Sequence, residues 1–189
     1  MKVFDNSKKF ELQNKLLSIK PFESKYINKK FISFLNNPKV NEYLEVRKKK
    51  QTLVSAKKYL NSTKKKKILY YAIFDFKKKN IIGTITLRNI GKNQCYIGCM
   101  IGDTRYFGTK ISKQSFNIFL CFVFDYLNYH TIKAATIKDN VSSNFNLITN
   151  GFKLLNINKT KFLPSKNVFS FILKKEYLKF KTNYKIKFL

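Results

Sequence analysis

The run YIGCMIGDTRYFGTKISKQ, Tyr96–Gln114, holds the residues best placed to do chemistry. Tyr96–Ile101 reads as a short strand, Gly102–Arg105 as a polar turn and Phe107–Lys110 as a glycine-containing bend, with a helix starting behind it. A strand, a tight loop and a helix N-terminus in that order turn unpaired N–H groups and the positive end of the helix dipole toward one point, which suits an anion. The same residues also make an ordinary βα unit that binds nothing, and on this stretch alone the two readings stand level. Cys95, Cys99 and Cys121 have no framework spacing, and His130 is the single histidine. A structural zinc site takes about four such ligands, so no metal is expected. Cys99 reads as apolar filling, and His130 as a cap on the last carbonyls of the long helix.

A chain of 189 residues, 44% hydrophobic and 26% charged, must hold these groups, and that balance is globular. Its net charge of +29 invites a nucleic-acid partner. Yet of 39 basic residues only Arg47, Arg88 and Arg105 are arginine, the side chain suited to bidentate recognition. The lysines come with an excess of asparagine, isoleucine, phenylalanine and tyrosine, as A/T-rich codon usage would give. Nucleic acid is therefore not the favoured partner, although anions will be attracted over a wide area. Free thiols point to a reducing compartment. MKVFDNSKKFEL has no apolar leader, and the longest apolar run, Ile118–Phe124, is too short to span a bilayer. A soluble, cytoplasmic protein without a membrane partner is the expectation.

The surrounding elements follow from periodicity. Residues 1–14 are polar and read as frayed. Leu16–Phe22 alternates as a first strand, ended by Pro21. Tyr26, Ile27, Phe31, Phe34 and Leu35 form a helical stripe, so residues 23–35 read as an amphipathic helix that Asn36-Asn37-Pro38 stops. Val40–Glu45 is a short helical turn or an irregular link, and Thr52 caps a second helix over Leu53–Leu60. Ile68–Phe76 and Asn80–Asn89 are strands around a Lys77-Lys78-Lys79 tip, and Gly91-Lys92-Asn93 turns into the Tyr96 strand. The helix after the loop continues as SFNIFLCFVFDYL, too apolar for a surface helix and so largely buried. Thr131–Lys138 is a strand, Ser142–Asn150 a short helix closed by Gly151, and Phe152–Leu155 and Asn167–Leu173 are the last strands. A basic tail, Glu176–Leu189, follows. The order is β-αα-βββ-α-β-α-ββ in one domain, residues 1–189, with 1–14 and 178–189 as peripheral tails.

In that order the residues resemble the GNAT superfamily of acyl-CoA-dependent N-acetyltransferases. The likeness is to the branch of ribosomal-protein N-terminal and amino-sugar acetyltransferases. FLNNPKVNEYLEVR (Phe34–Arg47) is similar to that branch's W-L-N-D-P-x-V-x-x-Y-L segment, IIGTITL to its third strand, and YIGCMIGDTRYFG to its strand and approach to the cofactor loop. DNVSSNFNLITNGFK (Asp139–Lys153) carries the family's Asn-x-x-Ser and Gly-Phe. The resemblance, over Leu16–Tyr177, implies an α+β fold: a mixed, mostly antiparallel sheet with helices on both faces, splayed apart at the Tyr96 strand. The pantetheine arm of acetyl-CoA, the co-substrate, would lie in that opening. Its pyrophosphate would rest on amides of the loop Phe107, Gly108, Thr109, Lys110, Ile111 and Ser112. Met100 and Ile101 on the strand, with Asn140 and Ser143, complete the implied cofactor contacts. Asn140 either bonds the pantetheine amide or caps a strand end, and Ser143 does likewise or serves as an N-cap.

Two positions depart from the family. Its loop signature is Q/R-x-x-G-x-G/A, and aligned on Phe107–Ser112 it puts Lys110 at the first glycine. A positive φ there would cost lysine about 1 kcal/mol or more. If the helix has already begun, the reading we favour, lysine fits and adds a cation near the diphosphate. Leu147 stands where many members carry a tyrosine that protonates the departing CoA thiolate, and leucine cannot do so.

Acetyl transfer to an amine needs a neutral amine, a held carbonyl and a way to discharge the thiolate. Charge builds on the carbonyl oxygen, so preorganised N–H donors are the largest lever. The resemblance points to the backbone of Cys99 and Met100, at a bulge expected between Gly98 and Gly102. A base must take the ammonium proton. Of only ten carboxylates, Glu42 and Glu45 fall in the link expected to border the acceptor site, with Arg47 beside them to grip an anionic acceptor group. A plain surface Glu–Arg pair is the competing account. Asp103 reads as a turn cap. The expected activity is N-acetyl transfer to a primary amine, first of a nucleotide-linked amino sugar and second of a protein N-terminus, by a monomer or homodimer. The alternative is a catalytically silent relative that binds CoA, or nucleic acid through its lysines.

Overall fold

Asn28 decides where the first helix begins. Its side chain accepts from the Phe31 amide at 3.0 Å, and α1 runs over Lys29–Asn36. The stretch expected to start that helix is a 3-10 turn, Ser24–Tyr26, because Ile27 leaves helical geometry at φ −81° and ψ 87°. Asn37-Pro38 then opens α2, the single turn Pro38–Asn41, and a second 3-10 turn spans Glu45–Lys48. Thr52 caps α3, Leu53–Lys65, in a reciprocal box with Ser55. This helix outruns the expected end at Leu60, with Lys64 and Lys65 where the helix dipole favours cations. The computed structural model describes residues 10–77, 80–159, 167–178 and 180–189. Lys78 and Lys79 of the expected hairpin tip lie outside the described residues.

The strands are β1 (Phe10–Gln13), β2 (Leu17–Pro21), β3 (Leu69–Asp75), β4 (Ile81–Gly91), β5 (Gln94–Ile101), β6 (Thr131–Ile137), β7 (Lys153–Lys159), β8 (Asn167–Lys174) and β9 (Lys185–Phe188). The helix α4 (Lys110–Asp125) joins β5 to β6, and α5 (Val141–Thr149) precedes β7. Among the described residues they form one sheet in the order β7-β8-β6-β5-β4-β3-β2-β1-β9. Its one parallel pairing is β5 with β6, which requires a crossover, and α4 supplies it. The two ends read as tails meet at one edge of the sheet: Phe10–Gln13 pairs antiparallel with Lys185–Phe188. Phe10 is buried there, its ring 5.2 Å from Tyr126 and 5.6 Å from both Phe122 and Phe188. An alternation only four residues long on each side was too short to read.

Strand β3 shows how the sheet is covered. Tyr71 and Ile73 face one way, into a core with Phe116, Phe119, Phe122 and Leu147, under α4 and α5. Ala72 faces the other, with Phe31 and Phe34 of α1 and Ala56 and Leu60 of α3. Helices therefore lie on both faces. The apolar α4 is buried from Ile118 to Phe124 as expected, but it ends at Asp125. His130 is exposed in the following loop and caps nothing there; its amide donates to Asn93 O at 2.9 Å. Near the helix end, the Lys175 ammonium reaches Phe124 O at 3.5 Å and the Asp125 carboxylate at 3.3 Å. Gly151 follows α5 at φ +90°.

Candidate active site

Strand β5 pairs with β4 from Gln94 to Ile101 but with β6 only at Gln94, Cys95 and Tyr96. From Ile97 onward its other side is open. The Gly102 amide donates to Ile82 O at 2.8 Å, and the register below it is unshifted, so the amides of Gly98 and Met100 also face β4. Those of Ile97, Cys99 and Ile101 face the opening. The strand expected to part from its neighbour does so where the resemblance placed the break. Two details differ. No bulge lies at Cys99–Met100, since the irregularity of this ladder falls at Asn89–Gly91. Of the two proposed donors, Cys99 presents its backbone to the opening, whereas Met100 is turned to Thr84 and packs its side chain under α1 and α3. Cys99 has solvent access, yet the surrounding protein pushes its thiol up to about 12. At neutral pH it is a thiol and not a nucleophile.

The loop beyond β5 is built in two hydrogen-bonded steps. Asp103 caps a 3-10 turn, Thr104–Tyr106, by accepting from the Arg105 amide, and the Arg105 guanidinium also clasps its carboxylate at 2.9 and 2.5 Å. The hydrogen bonds from Arg105 hold the Asp103 carboxyl below the usual carboxylate range. A depressed carboxylate stabilises above the unfolded-state value of about 4, and this is lost as pH falls through the folded value. Asp103→Asn should therefore be less stable than the parent at pH 7, with the gap closing on acidification below about pH 4, as urea melts at each pH would read.

Thr109 then caps α4, its hydroxyl accepting from the Ser112 amide at 3.4 Å. Of the loop amides, Phe107 donates to Thr104 O, Thr109 to Tyr106 O and Ser112 to Thr109. Those of Gly108, Lys110 and Ile111 have no acceptor among the described residues. Lys110 is the first residue of α4 and is exposed, so the helix has begun, and the left-handed residue is Gly108 at φ +69°. The left-handed residue therefore lies two positions before the one the resemblance gave to the first glycine.

Asn140 accepts from the Ser143 amide at 3.1 Å, so it caps the helix α5 and not a strand end, and Ser143 lies in the first turn of that helix and is not its cap. Leu147 is buried against the α4 core. Glu42, Glu45 and Arg47 are exposed, the last two in the 3-10 turn Glu45–Lys48. No ion pair joins them among the described residues; Arg47 instead donates to Glu42 O at 2.5 Å, beside a shallow hollow lined by Pro38, Lys39, Asn41, Glu42 and Arg47. The link reaches the sheet through α1, whose Phe34 ring lies so near Gly102 that a Cβ there would meet it at 2.6 Å.

Aromatic side chains that sequence reasoning did not single out lead from Tyr59 to β5. Burial and then the Glu45 charge push the Tyr59 phenol up. The Tyr59 ring lies edge-on to Tyr70 at 5.7 Å, the Tyr70 hydroxyl bonds Thr84, and Thr84 stands opposite Met100. Their spacing in sequence gave no signal, because three separate elements bring them together.

The sequence matches the acetyltransferase (GNAT) domain over residues 17–153. No curated protein sequence matches the chain. Among solved structures, it is similar to a GNAT-family acetyltransferase from Bacillus anthracis at 15% identity and a TM-score of 0.75, covering 88% of this chain and 99% of that one. Mycobacterium smegmatis RimJ, solved with CoA-disulfide, matches at 14% identity and 0.75, covering 93% and 91%. The spermidine N-acetyltransferase of Vibrio cholerae, solved with CoA and spermine, matches at 16% and 0.74, covering 87% and 98%. Such identities show the fold, and the domain match shows the rest: this chain belongs to the GNAT family of acetyltransferases.

Proposed function

We propose that the protein moves an acetyl group from acetyl-CoA to a primary amine by direct attack, with no acyl-enzyme. The observation that carries this is the open side of β5 beyond Tyr96, leading to the free amides of Gly108, Lys110 and Ile111. Amides at a helix start suit a diphosphate, and the exposed Lys110 ammonium adds to the attraction. The co-substrate supplies the acyl group already activated as a thioester. The gap-facing Cys99 N–H is the donor for the carbonyl oxygen as charge builds on it. Glu45 takes the ammonium proton of the acceptor. With leucine at 147 no side chain there can protonate the thiolate. That proton comes from solvent.

The acceptor we favour is a nucleotide-linked amino sugar first and a protein N-terminus second; a chain of +29 draws anions, which suits a nucleotide diphosphate and an acidic ribosomal setting alike. The test is thermal unfolding with acetyl-CoA, then thiol release on three amines: a nucleotide-linked amino sugar, a peptide with a free N-terminus, and spermidine. At about 100 times Kd the ligand should add about 2.7 kcal/mol and raise Tm by about 5–10 °C. Release on the sugar nucleotide supports the reading. Release on spermidine alone overturns the acceptor, and a Tm shift without release on any amine leaves a CoA-binding protein without activity.

A further inference from the structure

The free amides of the loop are only as well placed as the turn beneath them, and that turn is tied to the sheet by one buried side-chain bond. The Tyr106 hydroxyl donates to the Asp75 carboxylate at 2.7 Å, and both residues are buried. Asp75 is the last residue of β3 and stands opposite Leu17 of β2. Tyr106 closes the 3-10 turn, and its carbonyl accepts twice from Thr109, from the amide at 3.2 Å and from the hydroxyl at 2.8 Å. Thr109 is in turn the cap of α4, with Gly108 just before it at φ +69°. A continuous series of bonds thus runs from the end of β3, through the phenol and carbonyl of Tyr106, to the residue that orients the first turn of α4.

A second tie acts nearby. The Asn14 side chain accepts from the amides of Leu16 and Leu17 and donates to Gln114 of α4 at 3.0 Å. The N-terminal end of α4 is therefore fixed at two points to neighbouring strand ends, β2 and β3, on the far side of the sheet from the β5–β6 opening. Nothing in the acetyl-transfer chemistry calls for a buried tyrosine–carboxylate pair.

We propose that Tyr106 and Asp75 position the anion-binding loop: their hydrogen bond sets the direction of the Gly108, Lys110 and Ile111 amides and thereby the affinity for the diphosphate of acetyl-CoA. This rests on the acetyl-CoA reading above. Burial, and then the bond to Asp75, push the Tyr106 phenol up to about 12, so it remains a donor throughout the physiological range. The pair touches neither reacting centre. It acts through the loop, and its loss falls on binding and not on the chemical step.

The experiment compares acetyl-CoA Kd by calorimetry, and KM against kcat with the amine acceptor, for the parent and three variants. Tyr106→Phe removes the donor at constant shape. Asp75→Ala removes the acceptor from the other side, a second variant should Tyr106→Phe not fold. Asp75→Asn keeps an acceptor for the phenol. Tyr106→Phe and Asp75→Ala should each weaken acetyl-CoA about tenfold and raise its KM alike, with kcat at saturation within about twofold, while Asp75→Asn stays near the parent. Parent-like affinity in Tyr106→Phe or Asp75→Ala overturns the proposal, and so does Asp75→Asn falling as far as Asp75→Ala. A loss confined to kcat also overturns it. A parent that binds no acetyl-CoA instead removes the acetyl-CoA reading itself, and the proposal with it.

Discussion

Replacing Glu45 by glutamine is expected to lower kcat/KM for the amine by about 10²–10⁴-fold at neutral pH. Acetyl-CoA affinity should stay within about twofold, because the proposal puts the residue on the acceptor side. The reason is proton bookkeeping. An amine arrives mostly as ammonium at pH 7, its lone pair is unavailable, and glutamine cannot take the proton. The defect should shrink as pH rises, since a growing share of the amine then arrives neutral. Glu176, exposed beside Lys174 in the C-terminal 3-10 turn, is the comparison. Glu176→Gln should leave the profile unchanged. Equal loss in both variants, or a pH-independent loss in Glu45→Gln, would show that carboxylate charge in general matters and that Glu45 is no base.

Truncating Phe119 to alanine carries the largest expected effect on stability. The ring is fully buried on α4, edge-on to Tyr71 at 5.6 Å and tilted against Phe122 at 6.0 Å. The loss is about 3–5 kcal/mol, the transfer of the ring plus the cavity that α4 and β3 cannot close. In a domain of this size that lowers Tm by about 10 °C. Phe119 lies more than two turns along α4 from Lys110, so acetyl-CoA should still raise Tm by as much as in the parent. Denaturant and thermal melts with and without the ligand check both statements. An unchanged Tm would mean that the core does not depend on the α4–β3 contact.

Much of the scaffold was legible because its signals are local. The alternation of β3 and β4, the cap at Thr52, the apolar length of α4 and the glycine after α5 are each written within a few residues, and each stands where expected. The end strands β1 and β9 were not, since four residues carry too little periodicity and their partner lies at the other end of the chain. The start of α1 was misplaced because an apolar stripe through Tyr26 and Ile27 outweighed the capping signal of Asn28. In the site, the break in the sheet and the order of strand, turn and helix start beyond it were readable. Which glycine takes the left-handed turn was not, because Gly108 and Lys110 are two residues apart and alignment to a signature shifts easily. The Tyr106–Asp75 bond spans 31 positions and the Tyr59–Tyr70–Thr84 series crosses three elements, so no window of sequence holds either.

The central claim is that the unpaired side of β5 and three amides of the following loop receive acetyl-CoA. Backbone amide NMR of the labelled protein, titrated with acetyl-CoA, tests it most directly. The account predicts that the largest shifts fall on Cys99, Gly108, Lys110 and Ile111, with Phe107, Thr109 and Ser112, already bonded within the protein, moving less. Saturable shifts that cluster elsewhere, or none at these amides, would contradict it.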